Sequence, residues 1–332
     1  MGGKAIEGCK RINVEQFQDL GNRITSLPDL NGRVDVIKSY KAKQEFGDMD
    51  LLIECVEDRD RILNHLNPFQ LSKNGPVWSL GVMFDPDTPF QVDLILSNPE
   101  DYEFSYFYFA YNDLGNLLGR VAHKMGFKFG HDGLHYVLRD VEDPNRVIKQ
   151  INATKNFFHA LEFLGYSTAV SRSLYHHGFE DLDEIFQFVS SGNFYHRELY
   201  PLEHRSHRAR VRDAKRPTYQ KFLNWIEENQ PEDHFGWGIN GFMDDLYRKS
   251  FIFRAFQFFD GFEFELNESY KEVEHQKEIS KKITGQDVIR IAKVDEGIEV
   301  GRLLSTFKSL YSHDIEACDR EEVLILFEQF CK

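Results

Sequence analysis

The chain has 332 residues, enough for two domains of ordinary size, and its 41% hydrophobic and 28% charged residues, with 30 Phe, describe a well-packed globular protein. No apolar run approaches the roughly 18 to 20 residues of a membrane helix, and the N-terminal MGGKAIEGCKRINVEQF lacks an apolar signal core, so a cytoplasmic protein with no membrane partner is expected. A formal net charge of −14 argues against non-specific nucleic-acid binding over the whole surface, and leaves room for a local basic groove.

In chain order, MGGKAI has the start of a myristoylation signal, but Ile6 stands where that signal needs Ser or Thr. VEQFQDLGNRITSL (14 to 27) repeats Val14, Phe17, Leu20 and Ile24 at helical spacing. RVDVIKSY (33 to 40), MDLLIEC (49 to 55), VWSLGVMF (77 to 84) and FQVDLILS (90 to 97) read as strands, with a short helix at 58 to 66 and turns in NPFQLSKNGP and DPDTP. A helix at 111 to 127 and a strand at 133 to 140 follow. Beyond residue 146 the pattern is helical, beginning with TKNFFHALEFLG, which ends at Gly165. The expected fold class is therefore α/β (α+β). A helical segment (1 to 30) precedes a mixed-sheet domain (31 to 145), and a mostly helical domain (146 to 332) follows it. The scattered Cys9, Cys55, Cys318 and Cys331 form neither a C-x-x-C pair nor a zinc pattern and read as reduced thiols.

Three acids carry the chemistry. In EFGDMDLLIE, Asp48 and Asp50 lie two apart on a strand, so they share a face, and like charges that close cost free energy unless a cation lies between them. Taken alone, the pair fits two solvated acids at a strand end. FQVDLIL, however, puts Asp93 in mid-strand, on the face opposite Phe90, Val92 and Leu94. A neighbouring strand that carried Asp93 to the pair would complete an oxygen cage for two Mg²⁺ or Mn²⁺ ions, about 3.5 to 4 Å apart, suited to phosphoryl transfer.

SYKAKQEFGDMDLLIE, followed by FQVDLILSNPEDYEFSYFYFAYNDLGNLLGRVAHKMGFKFGHDGL, resembles the catalytic palm of the DNA polymerase beta (family X) branch of the nucleotidyltransferase superfamily. The resemblance covers roughly residues 36 to 140. It implies a nucleotidyltransferase palm in which Asp48 and Asp50 hold both metal ions while Asp93 holds the catalytic one and takes the acceptor proton. It further implies that Ser39 touches the triphosphate, that Lys41 or Lys43 adds charge, that Tyr108 and Phe109 pack under the sugar, and that Asp113, Asn116 and Arg120 face the nucleotide or a templating strand. The same residues also fit plainer roles, Tyr108 and Phe109 in a core and Arg120 on a solvated helix face.

Two departures stand out. The family's Gly-Ser is Lys38-Ser39 here, which weakens triphosphate binding or replaces a backbone contact by the Lys38 ammonium. Its Y-F-x-G-S is Tyr108-Phe109-Ala110-Tyr111-Asn112, without the Gly. About 35 residues precede the palm, too few for the lyase and DNA-gripping domains of a gap-filling polymerase, and a compact enzyme of this kind suits a phage.

ITGQDVIRIAKVDEGIEVGRLLSTF (283 to 307) is similar to a segment of CCA-adding and poly(A)-adding enzymes, with Gly297 beginning a turn and Gly301 allowing close helix packing; a plain helical hairpin fits as well. The R-R-D-F-T-x-N-A motif of CCA-adding enzymes is missing. Between Arg205 and Lys221, seven basic residues face one acid, Asp213. A helix running to Pro217 would stack Arg205, Arg208, Arg212 and Lys215 on one face, with Arg216 beside them, for contact with phosphate; pairing with neighbouring acids is the alternative.

The expectation is a metal-dependent nucleotidyltransferase using an NTP, such as ATP, or a dNTP, with a nucleic-acid 3′ end as acceptor, RNA such as tRNA before DNA. A protein or small-molecule modifier, or a palm that binds nucleic acid without catalysis, are the rival expectations.

Overall fold

The computed structural model describes residues 5–140, 146–237 and 241–331, with backbone alone at 241–245, 276, 279, 280, 312 and 313. The chain is a mixed α/β protein with a mixed sheet and a helical C-terminal region. It divides into two compact units, one of residues 1–138 with 152–260 and one of 139–151 with 261–332.

Among the described residues, the first unit carries the strands β1 (Ile12–Asn13), β2 (Val34–Val36), β3 (Glu45–Phe46), β4 (Asp48–Ile53), β5 (Gln70–Asn74), β6 (Val77–Asp85), β7 (Thr88–Leu96), β8 (Phe127–Gly130) and β9 (Gly133–Arg139), the last of which ends at the unit boundary, with the end of a further strand, Val147–Thr154. Five of them form a sheet of order β2-β4-β7-β6-β5, in which β4 and β7 run parallel and the other pairs antiparallel. Of the five segments read as strands from sequence, the first four contribute strands to this sheet, and the fifth, 133 to 140, is β9, which pairs with β8. β5 is the addition. Its residues QLSKN are exposed throughout and show no apolar alternation, so the segment resembles a turn until β6 supplies its hydrogen-bond partners. Gly75, with φ of 59°, closes that hairpin.

Strand alternation decides what each face of the sheet carries. Met49, Leu51 and Ile53 of β4 and Phe90, Val92 and Leu94 of β7 turn to one side and are fully buried with Leu20, Ile24 and Ile62 from helices Val14–Thr25 and Val56–Leu66. Burial of each such side chain is worth about 1.5–3 kcal/mol over leaving it exposed. The helix Val14–Thr25 starts with a capping box between Asn13 and Gln16, which satisfies donors its first turn would otherwise leave open. On the other face, Leu52 and Ile95 pack with Ile37 and Tyr102, under the helix Tyr102–Phe109. That leaves the opposite end of the same face to Asp48, Asp50, Gln91 and Asp93.

The helices that follow join this unit rather than standing apart. Lys41 and Ala42 donate backbone hydrogen bonds to the carbonyls of Phe179 (2.9 Å) and Glu180 (2.8 Å). Phe104, Phe107, Phe157, Phe158 and Tyr175 form an aromatic cluster of edge-to-face and tilted pairs between helices Tyr102–Phe109, Phe157–Phe163 and Thr168–His177. Residues 31–138 and 152–260 thus share one compact unit.

The second unit has its own core of Ile283, Val288, Phe307, Ile315, Val323 and Phe327. Its T-G-Q-D stretch is a helix start, where Thr284 and Asp287 cap each other and Asp287 also accepts from Arg320. Gly297, with φ of 140° and ψ of −152°, is the residue from which the helix Ile298–Leu310 starts. Gly301 does not allow close packing, because an added Cβ would meet no atom within 4 Å.

Candidate active site

The β4–β7 register brings the acids together. Asp50 lies directly across from Asp93 and Asp48 across from Gln91, and one carboxylate oxygen from each of Asp48, Asp50 and Asp93 lies within 4.8 Å of the others. Burial and then the charges of Asp48 and Asp93 push the Asp50 carboxyl up to about 7. Asp93 is also raised, by burial first and by Asp48 after it, while hydrogen bonds from Ser79 and Gln91 pull the other way. A half-buried trio of oxygen donors whose mutual repulsion disfavours ionisation fits a hard divalent cation such as Mg²⁺ or Mn²⁺.

Asp48 and Asp50 open into a cleft of 510 Å³. Its lining also includes the acids Glu45 and Asp113 and the basic residues Arg11, Lys38, Lys43, Lys215 and Lys221, with Arg11 paired to Glu45 at 3.3 Å. Lys43 donates to Ser39 Oγ (3.2 Å), lies over the Phe46 ring, and is pushed below the ordinary lysine range by burial, against the attraction of Asp48 and Asp50. Pro217 and Thr218, the first residues of the helix Pro217–Asn229, line the cleft as well, so the positive end of that helix adds to the positive charge of the lining.

Of the residues singled out in the sequence, Asp48, Asp50, Lys38, Ser39, Lys43, Phe109, Asp113 and Lys215 line the cleft. Asp93 completes the trio from behind, on β7. Lys38 aims its ammonium at the carbonyls of Tyr175 (3.4 Å) and His176 (3.3 Å), the last turn of the helix Thr168–His177, and so serves that helix end. Its φ is not left-handed, so no glycine is needed there. Lys41 pairs with Glu180 at 3.2 Å, outside the cleft. Tyr108 packs against Gly115 and Phe129, Asn116 bonds to Asp213 and Arg212, and Arg120 donates to the Leu199 carbonyl at 2.9 Å; none of these three lines the cleft.

The basic island divides in two. The helix is short, His207–Ala214, and Arg205 precedes it, so the expected stripe of four cations on one face does not form. Instead Arg205, Arg212 and Arg216 converge on the fully buried carboxylate of Asp213, and Arg216 also pairs with Asp113 at the cleft. Burial explains the change, since one desolvated carboxylate gathers several guanidinium groups. Arg208 and Lys215 remain exposed.

Sequence reasoning passes over Arg11 and gives Asn112, Lys221 and Gln91 no role at the site. Arg11 belongs to no motif and Lys221 only closes the basic island, and the fold carries both to the cleft. Gln91 has a signal: it sits two residues before Asp93, on the same strand face. Tyr111 and Asn112 both have φ of 61°, a left-handed pair without glycine. Tyr111 is held there by its N–H to the Lys38 carbonyl (2.8 Å) and its hydroxyl to the Tyr175 carbonyl (3.0 Å).

Comparison with protein-family models and with curated proteins finds no match to the chain.

Proposed function

We propose that the protein is a metal-dependent nucleotidyltransferase that moves a nucleoside monophosphate from an NTP or dNTP to an acceptor hydroxyl, releasing pyrophosphate. The observation that carries this reading is the meeting of Asp48, Asp50 and Asp93 beside a cleft that Asp48 and Asp50 line together with Lys43, Lys215 and Lys221. Acids alone fit many cation sites. Acids and lysines lining one cleft of nucleotide size fit a metal-bound triphosphate.

Two Mg²⁺ or Mn²⁺ ions held by the trio would supply charge stabilisation and an activated hydroxyl. The protein's own groups do the rest. Lys43, Lys215, Lys221 and the start of the helix Pro217–Asn229 bind and orient the triphosphate and its leaving pyrophosphate. Phe109 gives the nucleotide an apolar surface. The Asp93 carboxylate accepts the proton of the attacking hydroxyl at an Oδ atom. A nucleic-acid 3′ end, RNA before DNA, is the proposed acceptor, reaching the cleft past the exposed Arg208 and Lys215.

The test is label transfer: the protein with each α-³²P NTP and dNTP, Mg²⁺ or Mn²⁺, and total tRNA, primed DNA or cell protein, beside Asp93→Asn. Label in a nucleic acid that the variant does not transfer supports the reading. Label in protein alone replaces the acceptor, and no label with any combination refutes the transferase reading.

A further inference from the structure

Gln91 is a buried amide, 1% exposed, whose two ends face different partners. Its Nε2 donates to both oxygens of Asp93, at 2.9 and 3.1 Å. Its Oε1 accepts the backbone N–H groups of Ala5 (3.0 Å) and Ile6 (3.2 Å), from the far N-terminal stretch of the chain. We infer that the Ala5–Ile6 segment, acting through Gln91, is a positioning element of the acidic site and sets its affinity for a divalent cation. The inference rests on the metal-binding reading of the trio.

An amide group can present either its oxygen or its nitrogen to a neighbour, and a carboxylate tolerates only the nitrogen. Two N–H donors on Oε1 decide the matter, because reversing the amide would set Oε1 against the Asp93 carboxylate and Nε2 against two donors. The chain thereby locks Nε2 toward Asp93. A neutral donor also suits a cation site: it orients the carboxylate and leaves lone pairs on each oxygen for the ion, without bringing a competing positive charge.

The segment is held in place by more than this one contact. Ile6 is buried, and it packs where Gly81, the β6 residue opposite Gln91, has no side chain; a Cβ at Gly81 would lie 2.8 Å from Ile6 Cγ2 and 2.6 Å from Phe69 Cζ. Further on, Lys10 donates its backbone N–H to the Pro89 carbonyl (2.7 Å) and its ammonium to the Asp87 carbonyl (2.7 Å), flanking the start of β7.

Mn²⁺ binding to the whole chain, followed by the EPR signal of the free ion, separates the outcomes. Gln91→Met keeps the shape and removes the donor, and Ile6→Pro removes an N–H from the segment. Each is expected to weaken Mn²⁺ binding by about tenfold, as loss of a group that orients a metal ligand does. The double variant should bind no more weakly than the weaker single one, because both act through the same Nε2–H; a purely structural role would give additive losses. Should Ile6→Pro not fold, Ala5→Pro carries the same test with a shift of about threefold. Unchanged affinity in Gln91→Met, or additive losses in the double variant, overturns the inference while the metal site stands. A wild-type chain that binds no Mn²⁺ overturns the metal reading and this inference with it.

Discussion

Asp50 and Asp93 face each other across the one parallel pair in the five-stranded sheet, β4 against β7, with Asp48 beside them and Gln91 behind. That register is also what buries Met49, Leu51, Val92 and Leu94 on the reverse side. A slip of one residue would expose this apolar set and scatter the acids, so the core and the site are specified together.

The trio should make the metal-free protein less stable at alkaline pH. Asp50 has its carboxyl raised to about 7 in the fold from an ordinary 3.8. The folded state therefore binds a proton that the unfolded chain has released, and this contribution is lost as pH rises through about 7. In EDTA, Asp50→Asn should melt at a higher temperature than wild type at pH 8.5, by the equivalent of roughly 1–3 kcal/mol, and the gap should close near pH 4. Added Mn²⁺ should raise the melting temperature of wild type and not of the variant. A wild-type advantage at pH 8.5 without metal would contradict this account of the site.

Lys43 and Lys221 should act on nucleotide binding. Replacing either by Ala is expected to raise the nucleotide KM about tenfold with a smaller change in kcat, because each loses a charge-assisted contact to the triphosphate. Lys38→Met should instead lower stability with little effect on KM, since its ammonium serves the carbonyls of Tyr175 and His176. Steady-state kinetics with thermal melts distinguish the two patterns.

Asp213 should be structural and its exposed neighbour functional. Asp213→Ala leaves Arg205, whose side chain is 6% exposed, without its carboxylate, at an expected cost of about 3–5 kcal/mol in urea unfolding. Arg208→Ala should change stability by less than about 0.5 kcal/mol, yet weaken RNA binding and flatten its salt dependence.

The left-handed pair should tolerate glycine and reject branching. With φ of 61° at Asn112, Asn112→Gly should stay within about 0.5 kcal/mol of wild type, and Asn112→Val should cost about 1–2 kcal/mol. Equal stabilities in urea would show that the turn relaxes.

What the sequence reveals of this protein follows the range of its signals. Alternation in MDLLIE and FQVDLIL is local, so the strands, the buried face and the three acids are legible in the residues themselves. β5 is not, because an exposed edge strand of polar residues acquires its conformation from β6. The roles of Tyr108, Asn116 and Arg120 come through the resemblance alone, and a motif does not show which neighbour a helix face meets; here Arg120 meets the Leu199 carbonyl. The basic island shows the same limit. Counting charges makes Asp213 a minor exception among seven cations, whereas its burial makes it the residue around which three of them are arranged.

Crystals grown with Mn²⁺ and a non-hydrolysable NTP analogue give the most direct test of the central claim. The anomalous signal is expected to show two ions about 3.5–4 Å apart among Asp48, Asp50 and Asp93, with the triphosphate directed at Lys43, Lys215 and Lys221. A trio without manganese, or an analogue bound away from this cleft, would contradict it.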